Sequence, residues 1–203
     1  MKIAFFGTPP FTTSFLEMLS EQVFAPSLIV TNPDRPSGRG MALKSPEPKV
    51  WGDAHDVPVL QPEKIDEGFV NNLGEWDLFV VVAYGKILPE SLINLPKYGT
   101  INVHYSLLPK YRGATPVESA ILNGDTVTGV VIQQMRYKLD TGPILAQKEI
   151  PIDPSDTTPV LRDKLNIEAL SMLPEVLKKI ADRTIEPKEQ SEEGVSNCRK
   201  IAK

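Results

Sequence analysis

Short apolar runs alternate with longer stretches in which apolar residues recur every three or four positions, a pattern that predicts strands and helices in turn. Ile3-Ala4-Phe5-Phe6 reads as a first strand, broken by Gly7. Phe11, Phe15, Met18 and Leu19 then share one helical face. Leu28-Ile29-Val30 is a second strand, and Leu78-Phe79-Val80-Val81-Val82 is apolar throughout, as a strand buried on both faces must be. Residues 63–74 read as a helix, whereas 32–48, rich in Pro and Gly and without an apolar period, reads as a loop. Ile101 to His104 is a further strand. Thr115, Pro116 and Glu118 have the spacing of a capping box with proline in the first turn, so a helix is predicted from there to Gly124. Strands at 127–134 and 143–150 are separated by a tight Leu139-Asp140-Thr141-Gly142 turn. Apolar positions from Leu161 to Ile180 give a helical stretch over 159–182, which Pro174 should kink or split. A polar tail with Cys198, expected to be mobile, follows from Thr184. The predicted fold class is α/β, Rossmann-like, with a mostly parallel central sheet and helices on both faces.

Composition narrows the function classes. The 203 residues include 22 basic and 26 acidic side chains, a net charge of −4, with 41% hydrophobic residues. Those are the proportions of an ordinary soluble domain, or of one domain with a small appendage. The single cysteine forms no internal disulfide and suits a reducing cytosol, so a cytoplasmic protein is expected. Two histidines, His55 and His104, with that cysteine near the end argue against a Cys/His zinc site. The chain lacks a run of about 18 apolar residues, and the start has no cleavage pattern, so neither a membrane span nor a signal peptide is expected. Contact with nucleic acid would have to be local. From Pro33 to Lys49, four cations (Arg35, Arg39, Lys44, Lys49) stand against two acids, which by itself reads as a solvated loop.

The candidate chemistry lies later. Gly7-Thr8-Pro9-Pro10 occupies the place of a dinucleotide fingerprint but lacks its glycine spacing, and its prolines remove N–H donors; no nicotinamide or flavin is expected. Side chains alternate along a strand, so Asn102 and His104 point to the same side. An amide and an imidazole there can hydrogen-bond a carbonyl oxygen and shuttle a proton, or they can simply cap a turn. Asp140 is a turn residue on its own; close to His104 it would orient the imidazole.

The stretches I-N-V-H-Y-S-L-L-P-K-Y-R-G-A-T-P at 101–116 and L-D-T-G at 139–142 resemble the folate-dependent formyltransferase family. F-F-G-T-P near the start and V-V-A-Y-G-K-I-L-P at 81–89 agree with that likeness. The resemblance implies 10-formyltetrahydrofolate as co-substrate, no metal, and Asn102, His104 and Asp140 as the catalytic residues. It also implies a pterin pocket lined by Val82, Ala83, Tyr84, Gly85, Ile87, Leu88, Leu139, Thr141 and Gly142, with Ser106, Leu107, Leu108 and Pro109 shaping its floor. P-D-R-P-S-G-R-G at 33–40 is similar to the insertion loop of members that formylate initiator methionyl-tRNA, so Arg35 and Arg39 are expected to touch tRNA. A monomer is expected. Those members carry a C-terminal β-barrel after a linker, which places the catalytic domain at 1–189 and the start of the linker at 190–203. Formylation of a small amine (an amino sugar or glycinamide ribonucleotide) and a non-catalytic folate- or RNA-binding module stay open as alternatives. Two departures, Tyr105 and Arg136-Tyr137-Lys138, are expected to narrow or recharge the pocket.

Overall fold

Ile3–Gly7, buried at every position, forms β1, and Leu78–Val82, equally buried, forms β6 beside it (labels follow chain order). These are the core of the first of two compact units, Met1–Thr100 and Ile101–Lys203, in a computed structural model that describes residues 1–37 and 41–200. The chain between runs through α1 (Thr13–Ser20), β2 (Pro26–Val30), β3 (Arg35–Ser37), β4 (Ala42–Lys44), α2 (Glu47–Ala54), β5 (Val59–Leu60) and α3 (Glu67–Asn71). After β6 comes α4 (Glu90–Ile93). Strands β6, β1, β2 and β5 lie side by side in that order, all parallel. Complete burial of β1 and β6 requires cover on both faces, as the apolar runs predict.

Two readings of this unit change. Residues 32–48 are not a plain loop: β3 and β4 pair antiparallel, Arg35 opposite Lys44 and Pro36 opposite Leu43, and α2 starts at Glu47. Three-residue strands facing water carry no alternation that a pattern could register. The helix over 63–74 shrinks to Glu67–Asn71, because the Asp66 carboxylate caps it by accepting from the Phe69 N–H at 3.0 Å.

The second unit is built on β7 (Thr100–His104), β9 (Val127–Gln134) and β10 (Ile144–Pro151). All three pair antiparallel, with Asn102 opposite Gln133 and His104 opposite Val131. Between them come β8 (Arg112–Gly113) and α5 (Pro116–Leu122); α6 (Thr158–Ala181) and β11 (Asn197–Cys198) follow. Pro174 does not split α6, which runs on as one helix of 24 residues. Buried Leu161, Leu165, Leu173, Leu177 and Ile180 on both sides of the proline outweigh its cost of roughly 3 kcal/mol. The capping box does not form either. Thr115 Oγ1 donates to the Arg199 carbonyl at 2.8 Å, and Glu118 accepts from Arg162.

The tail is tied down where a mobile one was expected. Lys188 bridges to Ile144, and β11 pairs parallel with β8, Asn197 opposite Arg112, leaving Cys198 only 6% exposed. The segment read as the start of a linker, from 190, thus includes a strand bound to β8. Among the described residues no helix is long and apolar enough to cross a membrane.

Candidate active site

His104 ends β7 with its ring buried. Its Nε2 lies 3.0 Å from the Tyr111 carbonyl, which can only accept, so Nε2 carries the proton and donates. The loop that aims this carbonyl is held in unusual backbone: Tyr111 has φ 60 and Gly113 φ 132. Tyr111 N–H donates to Ser196 Oγ at 2.9 Å, and the Tyr111 hydroxyl donates to Asp125 at 2.8 Å. Gly113 is required, since a Cβ there would stand 2.0 Å from the Cys198 carbonyl oxygen. Positive φ at a tyrosine costs about 1 kcal/mol or more and persists only where its surroundings over-determine it.

Asp140 faces the other ring nitrogen. Its Oδ2 is 3.8 Å from His104 Nδ1, beyond a hydrogen bond but close enough to stabilise a protonated ring, and both side chains are buried. The two residues, 36 positions apart in sequence, therefore do meet. The carboxylate is itself fixed: Oδ2 accepts from the Gly113 N–H and Oδ1 from Gln133 Nε2, each at 2.8 Å. Asp140 is more than a turn residue, although its φ of 50 shows that it also makes the turn.

Sequence reasoning missed three residues that hold this arrangement. Gln133 is one. The others are Gln190, whose Nε2 donates to the carbonyls of Asp140 (2.9 Å) and Gly142 (2.7 Å), and Arg112, whose guanidinium donates twice to Gln190 Oε1. The place of Arg112 within the 101–116 stretch was the available signal for the last; nothing local marks a glutamine 50 residues beyond the turn it clamps.

Asn102 is half-buried on β7, on the same side as His104. Ser106 Oγ donates to the Lys110 carbonyl, so this hydroxyl braces the 106–110 loop. Leu107 is half-buried, Leu108 is buried, and Pro109 follows a cis peptide bond. Leu139 is exposed, Thr141 Oγ1 donates to the Lys138 carbonyl, and Gly142 is buried. Two of the residues that depart from the family pattern have partners in the second unit. Tyr105 donates to Asn166 of α6 at 2.9 Å, and burial raises its pKa above the ordinary phenol value. Arg136 pairs with Glu189 at the surface.

In the first unit, the loop after β6 carries two residues with left-handed backbone, Ala83 (φ 47) and Gly85 (φ 81). The Tyr84 carbonyl accepts from Thr8 Oγ1 at 3.2 Å and from Asn32 Nδ2 at 3.3 Å. Lys86 Nζ donates to the carbonyls of Pro62 and Glu63, and its desolvation lowers its pKa. Val82, Tyr84 and Leu88 are buried, whereas Ile87 is 86% exposed. Arg35, in β3, pairs with Glu63 at 3.1 Å in full view of solvent; Arg39 lies outside the described residues. Among the described residues, no group of three His, Cys, Asp or Glu side chains could hold a metal ion.

Residues 1–177 match the formyl transferase family model. The chain belongs to the formyl transferase family. A methionyl-tRNA formyltransferase of a Geobacillus species is 44% identical over 196 residues, covering 95% of this chain and 62% of that protein. One from Thermodesulfovibrio yellowstonii is 43% identical over 194 residues, covering 94% and 63%. The chain thus spans about three fifths of the length of these relatives. Two solved structures share the fold: a sugar 3N-formyl transferase with dTDP and 5-N-formyl-THF (TM-score 0.78, 21% identity, 98% of this chain and 69% of that one), and the phosphoribosylglycinamide formyltransferase of Bacillus halodurans (TM-score 0.74, 23% identity, 90% and 96%). The α/β, Rossmann-like class expected from the strand and helix pattern is the fold of this family member.

Proposed function

We propose that this chain transfers the formyl group of 10-formyltetrahydrofolate to the amino group of methionine on initiator methionyl-tRNA, in the cytoplasm. The observation that carries the reading is the buried meeting of His104 with an Asp140 held by two hydrogen bonds, in a chain 44% identical to a methionyl-tRNA formyltransferase. The folate supplies an activated formyl carbon. Asn102 donates a hydrogen bond to the formyl oxygen as negative charge develops there when the amine adds. His104 has its Nε2 proton committed to Tyr111, so Nδ1 is the nitrogen that takes the proton of the attacking amine and returns it to the departing folate nitrogen. Asp140 stabilises the ring while it is charged. The exposed Ile87 and the backbone of Val82 to Leu88 hold the pterin, and Arg35 with Arg39 contacts tRNA phosphates.

Formyl transfer from 10-formyltetrahydrofolate to charged initiator tRNA, assayed beside a panel of small amines at two salt concentrations, tests this. Transfer to tRNA that weakens with salt supports it. Transfer confined to a sugar amine or glycinamide ribonucleotide favours the second reading. Folate binding without any transfer would leave a binding module.

A further inference from the structure

The proposed mechanism uses only one end of a buried side chain, that of Gln133. It is only 1% exposed; its Nε2 donates to Asp140, and its Oε1 is buried with no hydrogen-bond partner. Nearly all buried acceptors in folded proteins are satisfied, so an orphan beside a reactive set calls for a physical reason. The polarity of this amide is fixed. A carboxylate oxygen only accepts, so the NH2 of Gln133 must face Asp140 and Oε1 must face away.

What lies on the other side follows from strand register. Gln133 on β9 is directly opposite Asn102 on β7. Directly paired residues in an antiparallel ladder place their side chains on one face, with Cβ atoms about 4.5–5.5 Å apart. The Asn102 carboxamide is therefore a neighbour on the same face with an N–H to offer the orphan oxygen.

We propose that Gln133 is a positioning residue that orients Asn102: Gln133 Oε1 accepts one N–H of the Asn102 amide and leaves the second N–H for the formyl oxygen. Free to rotate, Asn102 could equally present its own oxygen, which would repel a developing negative charge. Asp140 then acts twice, directly on His104 and, through Gln133, on Asn102. The catalytic part of this inference rests on the reading of Asn102 as the donor to the formyl oxygen; the orientation itself does not.

Gln133→Met keeps the volume and removes both polar ends. In 15N-labelled protein, with the Asn102 side-chain signal identified by its loss in Asn102→Asp, one Asn102 N–H is expected to exchange on the order of tenfold more slowly in the wild type than in Gln133→Met. Equal exchange in the two proteins overturns the inference, whatever reaction is catalysed. In the transfer assay, Gln133→Met is expected to lower kcat about tenfold with KM for the formyl donor almost unchanged. The same change made on Asn102→Ala is expected to cost clearly less, about threefold, because the part that passes through Asn102 is then absent and only the lost Gln133–Asp140 hydrogen bond remains. A full tenfold loss in that background also overturns it. If Asn102→Ala itself transfers at the wild-type rate, the role of Asn102 in the proposed function fails, and the exchange result alone decides the orientation. Gln133→Asn, one methylene too short to span both partners, is expected to repeat the exchange and kcat results and serves where the methionine variant does not fold.

Discussion

Asp140 and Arg35 are charged residues assigned to one proposed reaction, yet their surroundings have little in common. Asp140 is buried, accepts from Gly113 and Gln133, faces His104, and sits on a turn whose carbonyls Gln190 holds. Arg35 stands on a short hairpin with one exposed partner, Glu63, near the solvent-facing Met41 and Leu43. The loop over 82–88 combines both styles, with a pinned backbone and a bare Ile87. Groups that must stabilise developing charge gain most when their dipoles are fixed before the reaction begins. Groups that grip a large polyanion work through hydrated, adaptable charge, with the release of counterions as the driving force. The difference between the two regions is the one that the proposed function would require of these two tasks.

The harshest way to break the comparison is to remove the group at its buried centre. His104→Ala is expected to lower formyl transfer at least about a hundredfold while folate binding changes little. It also leaves the Tyr111 carbonyl with only the weaker Cys198 thiol as donor at 3.3 Å, a stability loss of about 1 kcal/mol that a denaturant melt would register. Activity above a tenth of wild type would remove His104 from the reaction.

Next in size comes the backbone that builds the site. Gly113→Ala is expected to destabilise by about 3 kcal/mol or more, since its φ of 132 is strained for alanine and the new Cβ would meet the Cys198 carbonyl at 2.0 Å. Parting β8 from β11 would also move the N–H that Asp140 accepts, so activity should fall further than stability at temperatures where the protein remains folded. Unchanged melting with full activity would show that the tail is not part of the site's support.

The buried and exposed regions also differ in how far they could be read from sequence. Strands β1, β2, β6, β7, β9 and β10 stood out because burial writes itself as apolar runs or alternation over several residues. Asn102 and His104 were legible as a same-side pair by strand period alone, and Asp140 as a turn acid. Their meeting was not legible, because it depends on the Tyr111–Gly113 backbone and on Gln133, Gln190 and Arg112, whose partners lie 7 to 78 positions away. The β3–β4 hairpin was missed for the opposite reason: strands that bury nothing leave no pattern. The signal at Thr115, Pro116 and Glu118 placed the start of α5 correctly, although tertiary partners took both capping side chains, and packing on both sides of Pro174 kept α6 from splitting.

A smaller effect sharpens the boundary of the buried network. Gln190→Ala removes both donors from the 139–142 turn and the acceptor of Arg112, leaving a buried guanidinium short of a partner. The expected result is a stability loss of about 1–3 kcal/mol and transfer lowered on the order of tenfold, with tRNA affinity little changed. Gln190→Glu keeps the contact with Arg112 but sets a carboxylate against two carbonyls, so it should rescue stability better than rate. If both variants lose rate and stability in strict proportion, Gln190 supports the fold without positioning the turn.

The smallest change belongs to the exposed side. Arg35→Ala breaks a solvent-facing ion pair with Glu63, and such pairs contribute about 0–1 kcal/mol, so melting should hardly move. Formylation of a small amine, if the chain catalyses it, should not change either, because a small amine carries no phosphate backbone for Arg35 to contact. Transfer to methionyl-tRNA should weaken a few-fold at moderate salt, and the slope of log affinity against log salt should become shallower by about one counterion. A loss that is the same at every salt concentration would mean that Arg35 acts by shape or by a base contact, and the hairpin would then be as preorganised as the site it was contrasted with.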